Sequence, residues 1–139
     1  MGVEIAFPLE FVVLGTPVSL QAKRRQSLDE WKGRIVEASK AVLPEGHFAT
    51  DDPLAVTLYY FPNTEMQGDI DNIVKPILDA LKSHIYFDDR QIQRVLVQKF
   101  EPGNVFNFAQ PSPMLDTALV QPKPVLYIRL TDDPFEGLV

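Results

Sequence analysis

Apolar residues concentrate in four short stretches of the chain that favour β-strands. The stretches are Leu9–Gly15, Leu54–Phe61, Ile92–Phe100 and Val125–Leu130. All four are strand-sized and rich in β-branched or aromatic residues. The first ends at Gly15-Thr16-Pro17 and the second at Pro62-Asn63, both of which favour turns. The pattern therefore predicts four main strands.

Two other stretches repeat their apolar residues at steps of three and four, which predicts amphipathic helices. The first covers residues 28–43, and its apolar positions are Leu28, Trp31, Ile35, Ala38 and Val42. Ser27 and Glu30 at its start have the spacing of a capping box. The second helix is predicted over about residues 71–83. Pro76 inside it lacks a backbone donor, so we expect a kink or a shifted start there.

The predicted elements follow the order strand–helix–strand–helix–strand–strand. We expect a single α/β (α+β) domain over residues 1–139, a usual length for one domain. In this fold two main helices cover one face of a mixed β-sheet. Residues 101–121 contain Pro, Gly and Asn without a clear period, so we predict a loop or an insertion there.

Composition narrows the classes of protein that fit. Nine Phe, four Tyr and an apolar fraction of 45% are enough for a core, which excludes global disorder. The absence of Cys excludes disulfides, a thiol nucleophile and Cys-based metal sites. The longest apolar runs fall far below the roughly 20 residues of a membrane-spanning helix. We therefore expect a cytoplasmic protein without a membrane partner.

The net charge of −6 argues at first against a nucleic-acid partner. The charges are unevenly distributed, however. Eleven of the thirteen Lys and Arg residues lie between Lys23 and Lys99, whereas the last third of the chain is acidic. A basic face is therefore compatible with the acidic total.

The strongest chemical signal is a group of acidic residues around the second predicted helix. Asp69 and Asp71 flank one apolar residue where a loop enters the helix, whose N-terminus favours negative charge. Lys75 and Asp79 follow Asp71 by four and eight residues, which places all three on one polar stripe. A second acidic pair, Asp88-Asp89, comes after a short apolar stretch. If this pair lies beside the helix start, three or four carboxylates converge near one Lys.

Crowded carboxylates repel one another unless a hard cation neutralises them. Mg²⁺ prefers oxygen ligands of this kind and commonly joins carboxylates to a phosphate. A pair of such ions can stabilise both the attacking and the leaving oxygen in phosphodiester hydrolysis. A neighbouring Lys can hold the phosphate or offset charge that develops in the transition state.

The stretch over residues 68–92 resembles the RusA family of Holliday junction resolvases. In that family the core signature comprises a D-x-D-N motif, a Lys four residues after the second Asp, a D-A-L segment and a later D-D-x-x-I. The matching positions are Asp69, Asp71, Asn72, Lys75, Asp79, Ala80, Leu81, Asp88, Asp89 and Ile92. Leu14–Pro17 and Lys23–Arg25 are similar to the G-x-P strand end and basic segment of the family.

The resemblance implies a homodimeric, Mg²⁺-dependent endonuclease, bacterial or phage-encoded, that cuts four-way DNA junctions with symmetrical nicks. Mn²⁺ is an expected substitute for Mg²⁺. The catalytic residues carried over are Asp69, Asp71, Lys75 and Asp89; the three Asp residues are the metal ligands and Lys75 is the catalytic or phosphate-binding cation. Lys23, Arg24 and Arg25 are the possible DNA contacts. Asp88 is the less favoured of its pair, and Asp79 is interpreted as a surface partner on the helix.

Two other functions use the same residues. A non-catalytic DNA-binding relative, such as a phage or bacterial accessory protein, would keep the fold and bind junctions without cutting them. A metal-dependent hydrolase of a small phosphorylated molecule would use the carboxylates without a basic surface. His47 and His84 have no partner His at helical spacing, so we expect neither to be catalytic or a ligand.

Overall fold

The computed structural model describes residues 2–19 and 24–138. Its strands and helices alternate along most of the chain. The strands are β1 (Leu9–Leu14), β2 (Leu54–Phe61), β3 (Ile92–Lys99) and β4 (Val125–Thr131). The helices are α1 (Arg25–Lys40), α2 (Asp71–Leu81) and α3 (Pro113–Val120), and a 3-10 turn covers Asp89–Gln91. Among these residues, no helix is both long enough and apolar enough to span a bilayer.

The four strands form one mixed sheet in the order β1-β4-β2-β3. β4 pairs antiparallel with β1 and β2, whereas β2 and β3 are parallel and are joined through α2. The registers place Phe11, Ile128, Leu58 and Val97 in one row across the sheet. The mixed sheet predicted from the sequence is confirmed.

The two main helices cover the face of the sheet on which this row lies. Trp31 and Ile35 of α1 and Ile77 of α2 are buried in one cluster with Phe11 and Leu58. This confirms the predicted arrangement of two helices on one face and the core position of Trp31. α2 runs without interruption from Asp71 to Leu81 and includes Pro76, so its start is not shifted.

The start and end of α1 differ from the sequence-based expectation. α1 begins at Arg25 and ends at Lys40, and its N-cap residue, Arg24, makes no side-chain cap. Ser27 thus lies inside the helix, and the predicted capping box is wrong. The carboxylate of Glu30 accepts a hydrogen bond from the side chain of Gln26 at 3.1 Å, one turn earlier, instead of reaching the backbone of Ser27.

The opposite face of the sheet is covered by a helix that we did not predict. Residues 101–121 are not entirely a loop, because α3 forms within them. The Ser112 side chain caps α3 by accepting the N–H of Leu115 at 3.1 Å, and Pro113 occupies the first turn. Leu115 and Ala118 are buried in a second cluster with Phe61, Val125 and Tyr127. Eight residues are too few to establish a helical period, but the Ser-Pro start was a readable signal.

Candidate active site

Lys75 connects the two acidic segments of the motif. Its Nζ lies 3.0 Å from Oδ1 of Asp79, one turn later on α2, and 2.9 Å from Oδ2 of Asp89. The pairing with Asp79 confirms the surface partner predicted from the spacing. The contact with Asp89 joins residues 14 positions apart, because the chain returns beside α2 before it enters β3.

Asp89 is presented to Lys75 by a capping box in the segment before β3. The Asp88 side chain accepts the N–H of Arg90 at 3.0 Å, and Oε1 of Gln91 accepts the N–H of Asp88 at 2.9 Å. Gln91 also donates to the carbonyl groups of Thr50 and Asp52, at 2.8 and 2.9 Å. These bonds make Asp88 a structural residue and leave the carboxylate of Asp89 to face α2.

Tyr86 supports Asp89 from the protein interior. The Tyr86 residue is buried, and its hydroxyl lies 2.9 Å from the carbonyl oxygen of Leu78 and 3.3 Å from Oδ1 of Asp89. Burial and the charge of Asp89 raise the pKa of Tyr86, so the hydroxyl keeps the proton that it shares between these acceptors. Sequence reasoning missed Tyr86, since an aromatic residue three positions before an Asp is typical of many cores.

The charges of this group reinforce one another. Hydrogen bonds from Lys75 lower the pKa of Asp89, and the same bonds, together with those to Asp79, raise the pKa of Lys75. The side chains of Lys75 and Asp89 are 45% and 44% exposed. Lys75 therefore remains a cation, and Asp89 an anion, that a ligand can reach from solvent. Lys82 adds a second cation 3.9 Å from Asp89 and was also not predicted.

Asp69 and Asp71 have a different setting at the beginning of α2. Asp71 is the first residue of the helix, and the backbone carbonyl of Asp69 accepts the N–H of Asn72 at 3.1 Å. Both residues are exposed, and neither side chain forms a hydrogen bond or ion pair with another described residue. The positive end of the helix dipole favours two carboxylates in this position.

The donor atoms of this site suit a hard cation, but they are not gathered in one place. Within residues 2–19 and 24–138, no group of three or more acidic or His residues is arranged to hold a metal ion. Asp89 is occupied by Lys75, whereas Asp69 and Asp71 are open. Mg²⁺ is commonly held by one or two carboxylates, with water and substrate phosphate as its other ligands. Asp69 and Asp71 can supply the two carboxylates.

Comparison with protein families identifies one family that includes these residues. A family model described as "Endodeoxyribonuclease RusA" matches residues 16–105, which is more than half of the chain. The matched range contains Asp69, Asp71, Lys75 and Asp89. The chain belongs to the RusA endodeoxyribonuclease family. No curated protein matches the chain.

The RusA match also includes the basic segment before α1. Arg24 and Arg25 are exposed at the start of this helix, where neither side chain forms an ion pair with another described residue. Lys23, the third possible DNA contact, lies outside the described residues. Thr16, Pro17 and Ser19, earlier in the same connection, line a groove together with Asp69.

The two histidines in the RusA-matched range lie together, away from the site residues. Nε2 of His84 is 2.8 Å from Oγ of the buried Ser39, and Nε2 of His47 donates to the carbonyl of His84 at 2.9 Å. The Ser39 hydroxyl donates its own proton to Val36 at 2.6 Å, so it accepts from His84. Burial and His47 lower the pKa of His84, which favours its neutral form. The pair joins α1 to the segment after α2.

Proposed function

We propose that this chain is a Mg²⁺-dependent endonuclease that resolves four-way DNA junctions by symmetrical phosphodiester hydrolysis. The observation that carries the proposal is the RusA family match, because it includes every residue of the proposed catalytic set, Asp69, Asp71, Lys75 and Asp89. The ion pair between Lys75 and Asp89 supports it, since it brings two separate parts of the motif to one solvent-facing position.

In this proposal Asp69, Asp71 and Asp89 hold Mg²⁺, and Mn²⁺ can replace it. When bound, the ion neutralises charge at the scissile phosphate and lowers the pKa of its bound water. Asp69 and Asp71 are open for this role. Asp89 would be the third ligand, and its side chain is 44% exposed beside Lys75.

Lys75 has the proposed role of holding the scissile phosphate. Its ammonium group has three donors, and two of the acceptors within reach are Asp79 and Asp89. Asp79, one turn later on α2, is the second partner of Lys75, in an exposed pair that contributes little energy. Tyr86 orients Asp89 through the 3.3 Å contact.

We further propose that two chains act together on one junction. A four-way junction presents two equivalent strands, and a two-fold dimer meets this symmetry with one surface used twice. The edge strand β3 supports this, because one of its sides is unpaired and Val95 and Leu96 are 39% and 43% exposed. Sedimentation should show a dimer at micromolar concentration, whereas a monomer both alone and on DNA would contradict this.

The proposed partner is branched DNA, and Lys23, Arg24 and Arg25 are the proposed phosphate contacts. Arg24 precedes α1 and Arg25 is its first residue. Earlier in the same connection, Thr16 and Pro17 line a groove together with Asp69. Phosphate contacts of this type fix the position of the duplex without reading its sequence.

The direct test is cleavage of a synthetic four-way junction labelled on each strand in turn. With Mg²⁺ we expect paired nicks at symmetrical positions, and we expect a linear duplex of the same arms to remain intact. The variant Asp71→Asn serves as the inactive control. Absence of nicks on junction, flap and fork substrates with both Mg²⁺ and Mn²⁺ would overturn the proposal.

One observation favours a second candidate, a DNA-binding RusA-family protein that does not cut. Asp89 is paired with Lys75 rather than with another carboxylate, and the described residues contain no three-carboxylate group. Such a protein would bind junctions equally well with EDTA and with Mg²⁺ and would produce no nicks. The same labelled junctions, examined by gel retardation and then for cleavage, separate the two candidates.

A further inference from the structure

A groove of about 180 Å³ is lined on one side by Asp69, and none of its other lining residues belongs to the proposed catalytic set. It separates the connection between β1 and α1 from the loop between β2 and α2. The volume equals about six water molecules at about 30 Å³ each, which is below the range of a drug-sized pocket. The groove can therefore admit a single planar ring system but not a duplex.

The lining of the groove combines an apolar base with amide groups. Tyr60 and Ile73 are buried, at 3% and 2% exposure, and form its inner part. Asn63, Gln67 and Asn72 contribute side-chain amides, and none of the three forms a hydrogen bond with another described residue. Each amide offers both donors and an acceptor, which is the complement of a nucleobase edge.

The charge of the lining argues against an anionic ligand. Glu65 and Asp69 are acidic, and none of the described lining residues is Lys or Arg. Without a metal ion these carboxylates repel a phosphate, whereas they do not repel a neutral base. The phosphate that follows or precedes this base in the chain would instead lie towards the cations outside the groove, among them Lys75.

Both walls of the groove are held by contacts outside it. Oε2 of Glu101 accepts the N–H of Met66 at 2.7 Å, which attaches the 62–68 loop to the end of β3. On the other side Arg34 donates to the carbonyl of Leu14 at 3.2 Å and packs against Gly15. Gly15 has φ +120°, a backbone conformation that L side chains rarely adopt, so a substitution there would be strained. These two contacts attach the segments that form the groove to neighbouring elements.

We infer that this groove receives one unstacked nucleobase, from the nucleotide next to the phosphate that is cut. The inference rests on the proposed function and adds a base-reading site to it. Bases at a branch point have lost a stacking neighbour, so moving one of them out of the helix costs less than in a duplex. Asn63, Gln67 and Asn72 then determine which base is accepted and hence where the strand is cut.

The test uses a set of junctions, each of which carries 2-aminopurine at a different single position beside the branch point. The fluorescence of this base rises when it leaves the stack, and binding is measured in EDTA so that no cleavage is needed. With wild-type protein at saturation, we expect a several-fold rise at one position. Saturation is verified by the anisotropy of an end label on the same junction.

The double variant Asn63→Ala/Gln67→Ala should bind the junction and lose this rise. Asn107→Ala/Gln110→Ala is the matched control, because both residues are exposed and neither lines the groove. We expect the control to behave as wild type. Circular dichroism and thermal unfolding establish that both variants are folded.

The cleavage assay adds a second readout with Mg²⁺. We expect the groove variant to lose about tenfold in kcat/KM at the preferred site, as two missing hydrogen bonds predict, and to spread its cuts over other sites. An abasic nucleotide at the position where 2-aminopurine fluorescence rises should give wild type and groove variant the same kcat/KM.

Saturated binding without a rise at any position would overturn the inference, and so would an equal rise in wild type and groove variant. A protein that binds no junction at all overturns both this inference and the proposed function. A rise without any cleavage leaves the groove as a base-binding site and removes only the nuclease proposal.

Discussion

Carboxylates occupy both faces of the sheet, but they are satisfied in different ways. On the face opposite α1 and α2, Glu10 of β1 accepts hydrogen bonds from the hydroxyl groups of Ser112 and Tyr127. On the helix face, Asp89 is bonded by Lys75 and Tyr86 and is 44% exposed. Each face therefore has a buried tyrosine directed at a carboxylate, and of the two carboxylates Asp89 is also ion-paired with Lys75.

On the face opposite α1 and α2, other charged residues bind the C-terminal segment. Arg129 pairs with Glu136, and Arg94 donates to the backbone carbonyls of Pro134 and Glu136 at 2.8 to 3.1 Å. These contacts attach the segment after β4 to the sheet. Charged groups that are partnered in this way stabilise the folded chain. Asp69 and Asp71 have no such partners among the described residues, so their carboxylates are free to bind a ligand.

The largest effect should come from Asp71→Asn. The change removes a charge with little change in volume, so the fold should survive and cleavage should fall at least about a hundredfold, as when a preorganised electrostatic group is lost. Junction affinity without metal should hold or improve, because a negative charge that faces phosphates is gone. Single-turnover cleavage and gel retardation measure the two quantities.

Asp116→Asn is the matched control on the other face, since Asp116 occupies the first turn of α3 as Asp71 does in α2. Its cleavage should equal that of wild type. If Asp71→Asn remains folded and cuts at the wild-type rate, the ion is not held where we propose.

Lys75→Ala should have the next largest effect. Loss of the phosphate-holding cation should lower the cleavage rate about tenfold to a hundredfold. It should also reduce the slope of log affinity against log salt by about one unit. Lys82→Ala is the control, because Lys82 lies 3.9 Å from Asp89 and is not assigned a role. Equal losses in both variants would mean that the local positive charge, and not Lys75, is what matters.

The two tyrosines give a direct comparison of the faces. Tyr86→Phe and Tyr127→Phe each remove one buried hydroxyl that contacts a carboxylate, so each should lower the free energy of unfolding by about 1 to 2 kcal/mol. Only Tyr86→Phe should raise the Mg²⁺ concentration for half-maximal cleavage, by a few-fold, because only Asp89 is a proposed ligand. Urea unfolding and Mg²⁺ titration of cleavage measure this. A Mg²⁺ shift in Tyr127→Phe as well would show that both act through stability alone.

Asp79→Asn should have the smallest effect. Its ion pair with Lys75 is an exposed pair one helical turn apart, and such pairs contribute at most about 0.5 kcal/mol. We expect cleavage to stay within about twofold of wild type, in contrast to Asp71→Asn on the same helix. A loss comparable to that of Asp71→Asn would place Asp79 in the catalytic set and would end its interpretation as a surface partner.

Local patterns were enough to predict most of the fold. The strand over Leu54–Phe61 was predicted with the bounds that it has, because an apolar run between Pro53 and Pro62 leaves little choice. The helix that begins at Asp71 was equally readable, since its apolar residues repeat at helical spacing. The capping box at Ser27 failed because a cap depends on where the preceding chain turns, which the four residues of the motif do not determine.

The sequence by itself also predicted the residues of the candidate site, because the spacing of Asp69, Asp71 and Lys75 lies within one loop and one helix. Tertiary structure decided the partner of Lys75, since Asp89 reaches it only after the chain crosses from α2 towards β3. It likewise decided that Glu101 holds the loop before Asp69 and that α3 covers the second face. Such contacts join residues far apart in the chain, and no periodicity within one segment carries information about them.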